Sequence, residues 1–309
     1  MIASPIPSPI PHPSRRLAAR LTRVLLPACG AAALVGTVVA PASAAAAATP
    51  VACSAASLSA AITAANASGG SLSLATGCTY ALTAPLPAIK GTVAIEGHVA
   101  TITRAPKAPP FGILVVDRGG NLTISHVIIT GGNAAGSFGG GIRNDGTLSV
   151  AASIISNNKA DYSGGIAGTG GSTTTITNSF ITGNTATRNG GGFANDGHMT
   201  ITRSTVSDNT ALEKGGGVAN DGVLKIDRSA LTNNSASGPA GLGGGIANFG
   251  GPGASTTLDG AIVTGNRATA GTGGVYNSAG TIASRASTTS LNQPNNCMKS
   301  APAVPLCSN

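Results

Sequence analysis

"GGGFANDGHMTITRSTVSDNTALEKGGGVANDGVLKIDRSALTNN" runs from Gly190 to Asn234, and its second half nearly repeats its first. Gly190-Gly191-Gly192-Phe193-Ala194-Asn195-Asp196-Gly197 returns as Gly215-Gly216-Gly217-Val218-Ala219-Asn220-Asp221-Gly222, a period of 25 residues. Outward from this pair, an apolar residue follows a Gly run at Ile142, Ile166, Phe193, Val218, Ile246 and Val275. An Asn closes each Ser/Thr-rich stretch at Asn158, Asn184, Asn209, Asn234, Asn266 and Asn292. The one long interval, Asn234 to Asn266, holds the extra segment Gly250–Ser255, and an earlier copy is visible over residues 120–133.

Apolar residues alternate within each copy, as Met199/Ile201 and Leu224/Ile226 do around Thr200 and Lys225. A period of two marks a strand with one face inward. Each copy reads as two or three short strands joined by Gly and Asn turns. So small a unit cannot bury its apolar face alone and must stack on its neighbours. Propeller blades usually need about 40 residues or more, which leaves an all-β parallel β-helix, with about eight coils at roughly 4.8 Å. Equivalent residues then stand in columns. The Asn column predicts a ladder of side-chain amides, and Val127, Ser153, Ser179, Ser204, Ser229 and Ala261 form a second column of small residues.

Composition agrees with this fold. Charged residues make up 9% and aromatics 3% of 309 residues, with 45 Gly, as expected of a turn-rich β protein rather than a disordered one. The ends of a β-helix need cover, because they are unpaired strand edges. Ser57 is placed to N-cap a short helix carrying Leu58, Ala61, Ile62 and Ala65 and ending near Asn66–Gly70, over the first coil. The tail carries Pro302 and Pro305, which resist strand addition.

Residues 14–44 read as an export signal: Arg15, Arg16, Arg20 and Arg23 precede an apolar run, and Ala42-Ser43-Ala44 supplies small residues for cleavage. The formal charge of +8 owes four units to those arginines; beyond them 14 Lys and Arg face 10 acids, weak grounds for an anionic partner. No nucleic-acid motif is present. The remaining cysteines are Cys53, Cys78, Cys297 and Cys307, an even number suited to two disulfides in an exported chain. Local pairs, Cys53–Cys78 and Cys297–Cys307, would staple one end each. The expected organisation is therefore a signal over 1–44, a linker and capping segment over 45–90, the β-helix over 91–292 and a disulfide-closed tail over 293–309. No transmembrane segment is expected in the mature chain, which reads as a monomer, secreted or associated with the cell envelope.

The segment Cys53–Thr83, with Ser57-Leu58-Ser59-Ala60-Ala61-Ile62 at its centre, resembles the N-terminal motif of secreted bacterial β-helix proteins of the CSLREAI type. The runs GGGIRN, GGGFAN, GGGVAN and GGGIAN resemble the repeats of the polymorphic outer-membrane protein family. The two resemblances cover residues 53–292. They imply an exported, right-handed parallel β-helix, with a pectin lyase-like architecture and adhesion as a family role. Members of the polymorphic type end in an autotransporter barrel, for which no room is expected after Asn292.

Two readings of the Asn-Asp-Gly repeat compete. Asp196 and Asp221 on consecutive coils, with Asp145 two coils before Asp196, are candidates for an acid/base pair or a Ca²⁺ site. Arg203 and Arg228 form a column suited to an anionic sugar. On this reading the chain is a polysaccharide lyase or glycoside hydrolase. On the other, Asn and Asp bond nearby backbone and Gly takes positive φ, so the motif is turn structure. The repeat degrades to Asn248-Phe249-Gly250 and Asn277-Ser278-Ala279-Gly280, as a turn can tolerate. The segments after each ladder Asn are short, which predicts no groove walls. Of the few aromatics, Phe111, Phe180 and Phe193 read as core, leaving Tyr162 and Tyr276 exposed. His98, His126 and His198 read as solvated residues, and no GxSxG, HExxH or P-loop occurs. The expectation is a non-catalytic structural or surface-binding protein with no cofactor or metal and a cell-surface glycan or protein as partner.

Overall fold

In the computed structural model, the residues described are 47–297, 300, 302–305 and 307. The expected export signal lies outside them. The chain forms a parallel β-helix of about nine turns with a single α-helix, Ala55–Ser68. Its strands assemble into one 17-stranded, one seven-stranded and one six-stranded sheet.

One coil shows the plan. Thr173–Thr177 and Phe180–Thr182 lie in the 17-stranded sheet on either side of a bend. Thr185–Ala186 joins the six-stranded sheet, and Phe193–Asn195 the seven-stranded one. His198–Thr202 then returns to the first sheet, in register under the strand one coil back, with Ile176 opposite Ile201. A full coil thus has four strands, more than the alternation of the sequence reveals, because two-residue strands show no period.

The interior is made of columns. Ile142, Ile166, Phe193, Val218, Ile246 and Val275 are all fully buried, and adjacent members are direct strand partners. Ile155, Ile181, Val206, Leu231 and Val263 form another such column. Each fully buried side chain of this kind contributes about 1.5–3 kcal/mol. Phe180 departs from the core reading: it is 54% exposed. It opens its strand facing outward, and Ile181 takes the inward place.

The Asn ladder forms as the spacing predicts. Asn184 donates from its backbone N–H and from Nδ2 to Oδ1 of Asn209, both at 3.0 Å. Asn209 does the same to Asn234 at 3.1 and 3.0 Å. The small-residue column is also a ladder, in which the backbone N–H of Ser153, Ser179 and Ser204 donates to the hydroxyl of the next coil's Ser.

The helix covers the first coil with Leu58, Ile62 and Ala65 buried. Its N-cap is Ser54, not Ser57: the Ser54 hydroxyl accepts from the backbone N–H of Ser57 at 3.1 Å. A cap hydroxyl reaches the N–H three residues on, so the helix begins one turn earlier than the apolar spacing alone implies. Strands Thr49–Val51, Gly70–Leu74 and Thr79–Leu82 already join the parallel stack. The disulfides are the two local pairs, Cys53–Cys78 and Cys297–Cys307, with Cα separations of 5.7 and 6.2 Å. Among the described residues no helix is long and apolar enough to cross a membrane.

Candidate functional site

The repeat decides where outward side chains gather. In the seven-stranded sheet each strand turns its first and third residues inward and its middle residue out. The middle residues are Val115, Arg143, Ala167, Ala194, Ala219, Ala247 and Tyr276, paired in register from coil to coil. Four consecutive alanines leave a low floor between taller flanks.

One flank comes from the residue four places before Ile142, Ile166, Phe193 and Val218: Phe138, Tyr162, Asn189 and Lys214. Phe138 and Tyr162 stack at 4.9 Å with their planes 17° apart, and Arg188 lies 5.1 Å over the Tyr162 ring. Asn189 fixes the following coil by accepting from the backbone N–H of Lys214 at 3.1 Å. The other flank is the turn column Asp145, Thr169, Asp196, Asp221 and Phe249. Between the flanks lies a groove of about 270 Å³. The turn positions that line it, Thr169 to Phe249, span three coil spacings, about 14 Å. Lys214 reaches across to Phe249, 4.5 Å from the ring centroid, and bounds one end. Arg143 pairs with Asp145 at 2.6 Å at the other.

Short segments therefore do wall a groove, against the expectation from their length. Stacking supplies the height: one residue per coil, repeated over four coils, makes a continuous flank. Tyr162 is part of it, whereas Tyr276 lies beyond the Lys214–Phe249 contact.

The Asn-Asp-Gly motif separates into three roles. Asn195, Asn220, Asn248 and Asn277 are fully buried and form a second amide ladder, donating coil to coil at 2.8, 2.7 and 2.8 Å. The Gly does not take positive φ. Gly197 and Gly222 are required by close approach instead, since a Cβ on either would run into the backbone of the preceding coil, at Ser172 and Gly197 respectively. Positive φ belongs to the first Gly of the runs, 72° at Gly190 and 65° at Gly215. Only the Asp is left to face the groove.

Asp196 and Asp221 are exposed neighbours on consecutive coils, and neither side chain bonds to another described residue. The Asp196 carboxyl is raised above its ordinary value, first by desolvation between the groove flanks and second by the charge of Asp221. Asp145 is differently placed: Arg143 neutralises it and Thr169 donates to it at 2.7 Å.

Arg203 and Arg228 do stack, but at another corner. Both sit at the bend of the 17-stranded sheet with φ of 46° and 44°, at the position that Asn178 holds one coil earlier. Arg203 donates to Asn178 Oδ1 at 3.0 Å, and Arg228 pairs with Asp227 at 2.8 Å. The whole strand His198–Thr202 separates Asp196 from Arg203, about 20 Å along the chain. Carboxylates and guanidinium groups do not converge. Nor do the histidines: His126 pairs with Glu96 at 2.8 Å, His98 meets Ser73 at 3.0 Å, and His198 stands apart on the first strand arm. Among the described residues no group of three or more His, Cys, Asp or Glu gathers as a metal site.

No known family model, no curated protein and no solved structure matches the chain.

Proposed function

We propose that the chain is an exported, surface-associated binding protein whose groove over the seven-stranded sheet holds an extended glycan. The observation that carries this reading is the groove itself: a low alanine floor between an aromatic flank and a flank of free carboxylates. Long, shallow clefts of this kind suit a polymer lying along the coil axis. Apolar faces of sugar rings pack on Phe138 and Tyr162, and sugar hydroxyls donate to Asp196 and Asp221. The two disulfides support an oxidising compartment.

Retention on immobilised neutral, acidic and amine-bearing polysaccharides tests the binding, with Tyr162→Ala as the control. The reading requires retention on at least one polymer by the parent chain and weaker retention by the variant. Equal retention of both would move the ligand away from the groove.

One observation favours a second reading, glycan cleavage. A carboxyl raised by desolvation and, second, by a carboxylate about one coil spacing away is the arrangement of a retaining acid/nucleophile pair. Shortened products that disappear in both Asp196→Asn and Asp221→Asn would establish it, and intact polymer after prolonged incubation would remove it.

A further inference from the structure

The charges around the groove limit what its occupant carries. Each neighbouring cation is engaged within the protein: Arg143 with Asp145, Arg188 with Glu213 at 3.3 Å and with the Tyr162 ring, and Lys214 with the Phe249 ring. The groove's own acids are not. Asp196 and Asp221 face the same space one coil apart with no bonded partner among the described residues. The Asp196 carboxyl is raised first by desolvation and second by the charge of Asp221.

A neutral sugar would give these carboxylates hydroxyl hydrogen bonds and leave both charges standing. An acidic sugar would add to them. An ammonium group supplies donors and charge together, and charge-assisted hydrogen bonds are roughly twice as strong as neutral ones. Tyr162 is already held by Phe138 and Arg188, and the exposed ring of Phe138 stacked on it gives the same occupant an apolar surface to pack against.

We infer that the groove takes an amine-bearing glycan, a polymer of hexosamine with free amino groups, its rings against Phe138 and Tyr162 and its ammonium groups at Asp196 and Asp221. This rests on the glycan-binding reading above and narrows it to a ligand class.

The test is titration calorimetry of the chain with three hexamers: β-linked glucosamine, its fully N-acetylated counterpart and galacturonate. The glucosamine hexamer should bind at least about tenfold more tightly than the N-acetylated one, and its affinity should fall as salt is added. In the Asp196→Asn/Asp221→Asn variant, with its fold checked by circular dichroism, that preference should disappear. Phe138→Ala should weaken both hexosamine oligomers while preserving their ratio. Equal binding of the two hexosamine forms overturns the inference and leaves the glycan reading standing, as does preference for galacturonate. A lysine hexapeptide that matches the glucosamine hexamer overturns it too, since charge alone would then account for binding. No binding of any hexamer removes the glycan reading itself.

Discussion

At the residue scale, the Asn ladders add buried side-chain hydrogen bonds to the backbone pairing between coils. Asn209 accepts two hydrogen bonds from Asn184 and donates to Asn234 Oδ1 and to the carbonyl of Ile181, all in the buried interior. Asn209→Ala leaves the donors of Asn184 without an acceptor, and each buried orphan costs about 1–3 kcal/mol. A loss of about 3 kcal/mol is expected in urea unfolding, against a few tenths for a surface change such as Thr200→Ser. Asp196 carries a pH signature. Its carboxyl is raised by desolvation between the groove flanks and by Asp221, so the folded state holds its proton more tightly than the unfolded chain does. Ionised Asp196 therefore opposes folding at neutral pH, and this cost disappears as pH falls through its raised value and below the ordinary 3.8. Asp196→Asn is expected to raise the melting midpoint at neutral pH and to match the parent once the carboxyl is protonated. A gap that persists under acid would assign the effect to something other than charge.

At the scale of the element, each coil is a set of rungs, and one rung is missing. The second amide ladder runs through Asn195, Asn220, Asn248 and Asn277 but meets Gly168 where Asn144 and Asn195 would be joined. Asn144 donates instead to Thr174 Oγ1 at 2.9 Å, and the buried Ser172 Oγ and Asn195 Oδ1 make no hydrogen bond. A Cβ at Gly168 would lie 3.1 Å from Ser172 Oγ and 3.5 Å from Asn195 Oδ1, so a side chain fits with a small shift of that hydroxyl. Gly168→Asn is expected to complete the ladder and stabilise the fold by about 1 kcal/mol, a rise of about 2–4 °C in melting midpoint for a chain of this size. Gly191→Ala is the contrasting case. Its Cβ would strike backbone atoms of Thr210 and Gly216 on the next coil, which cannot yield without opening the stack.

At the scale of the whole β-helix, the described residues form a column in which each coil packs on its neighbours, so its ends are its weak points. The N-terminal end has a helix and a disulfide closing 25 residues, a constraint worth about 3 kcal/mol in the chain-entropy account. Replacing Cys53 and Cys78 by Ser should lower hydrogen-exchange protection in Gly70–Leu74 and Thr79–Leu82 while His198–Thr202 in the middle keeps its own. Uniform loss along the column would show that the nine turns unfold as one cooperative unit. The groove also belongs to this scale. No single coil contains it, and its flanks exist only because equivalent residues stack.

The fold was legible in the sequence because a β-helix translates sequence period directly into space. The recurrence of Ile142, Ile166, Phe193 and Val218 identified the core column, and the Asn spacing identified the ladder. Local pairing of the cysteines followed from their places at the two ends. Phe180 was misread because its neighbour Ile181 is equally apolar and pattern alone does not choose between adjacent inward positions. The Gly of Asn-Asp-Gly was misread because close approach between coils leaves no trace in local turn preferences. Tyr162, Asp196 and Asp221 were visible as candidates one by one. Their meeting across an alanine floor, and the separation of Arg203 and Arg228 to another corner, were decided by the tertiary structure. The reason is geometric: period fixes which residues stack, whereas the bends between strands fix which stacks face one another.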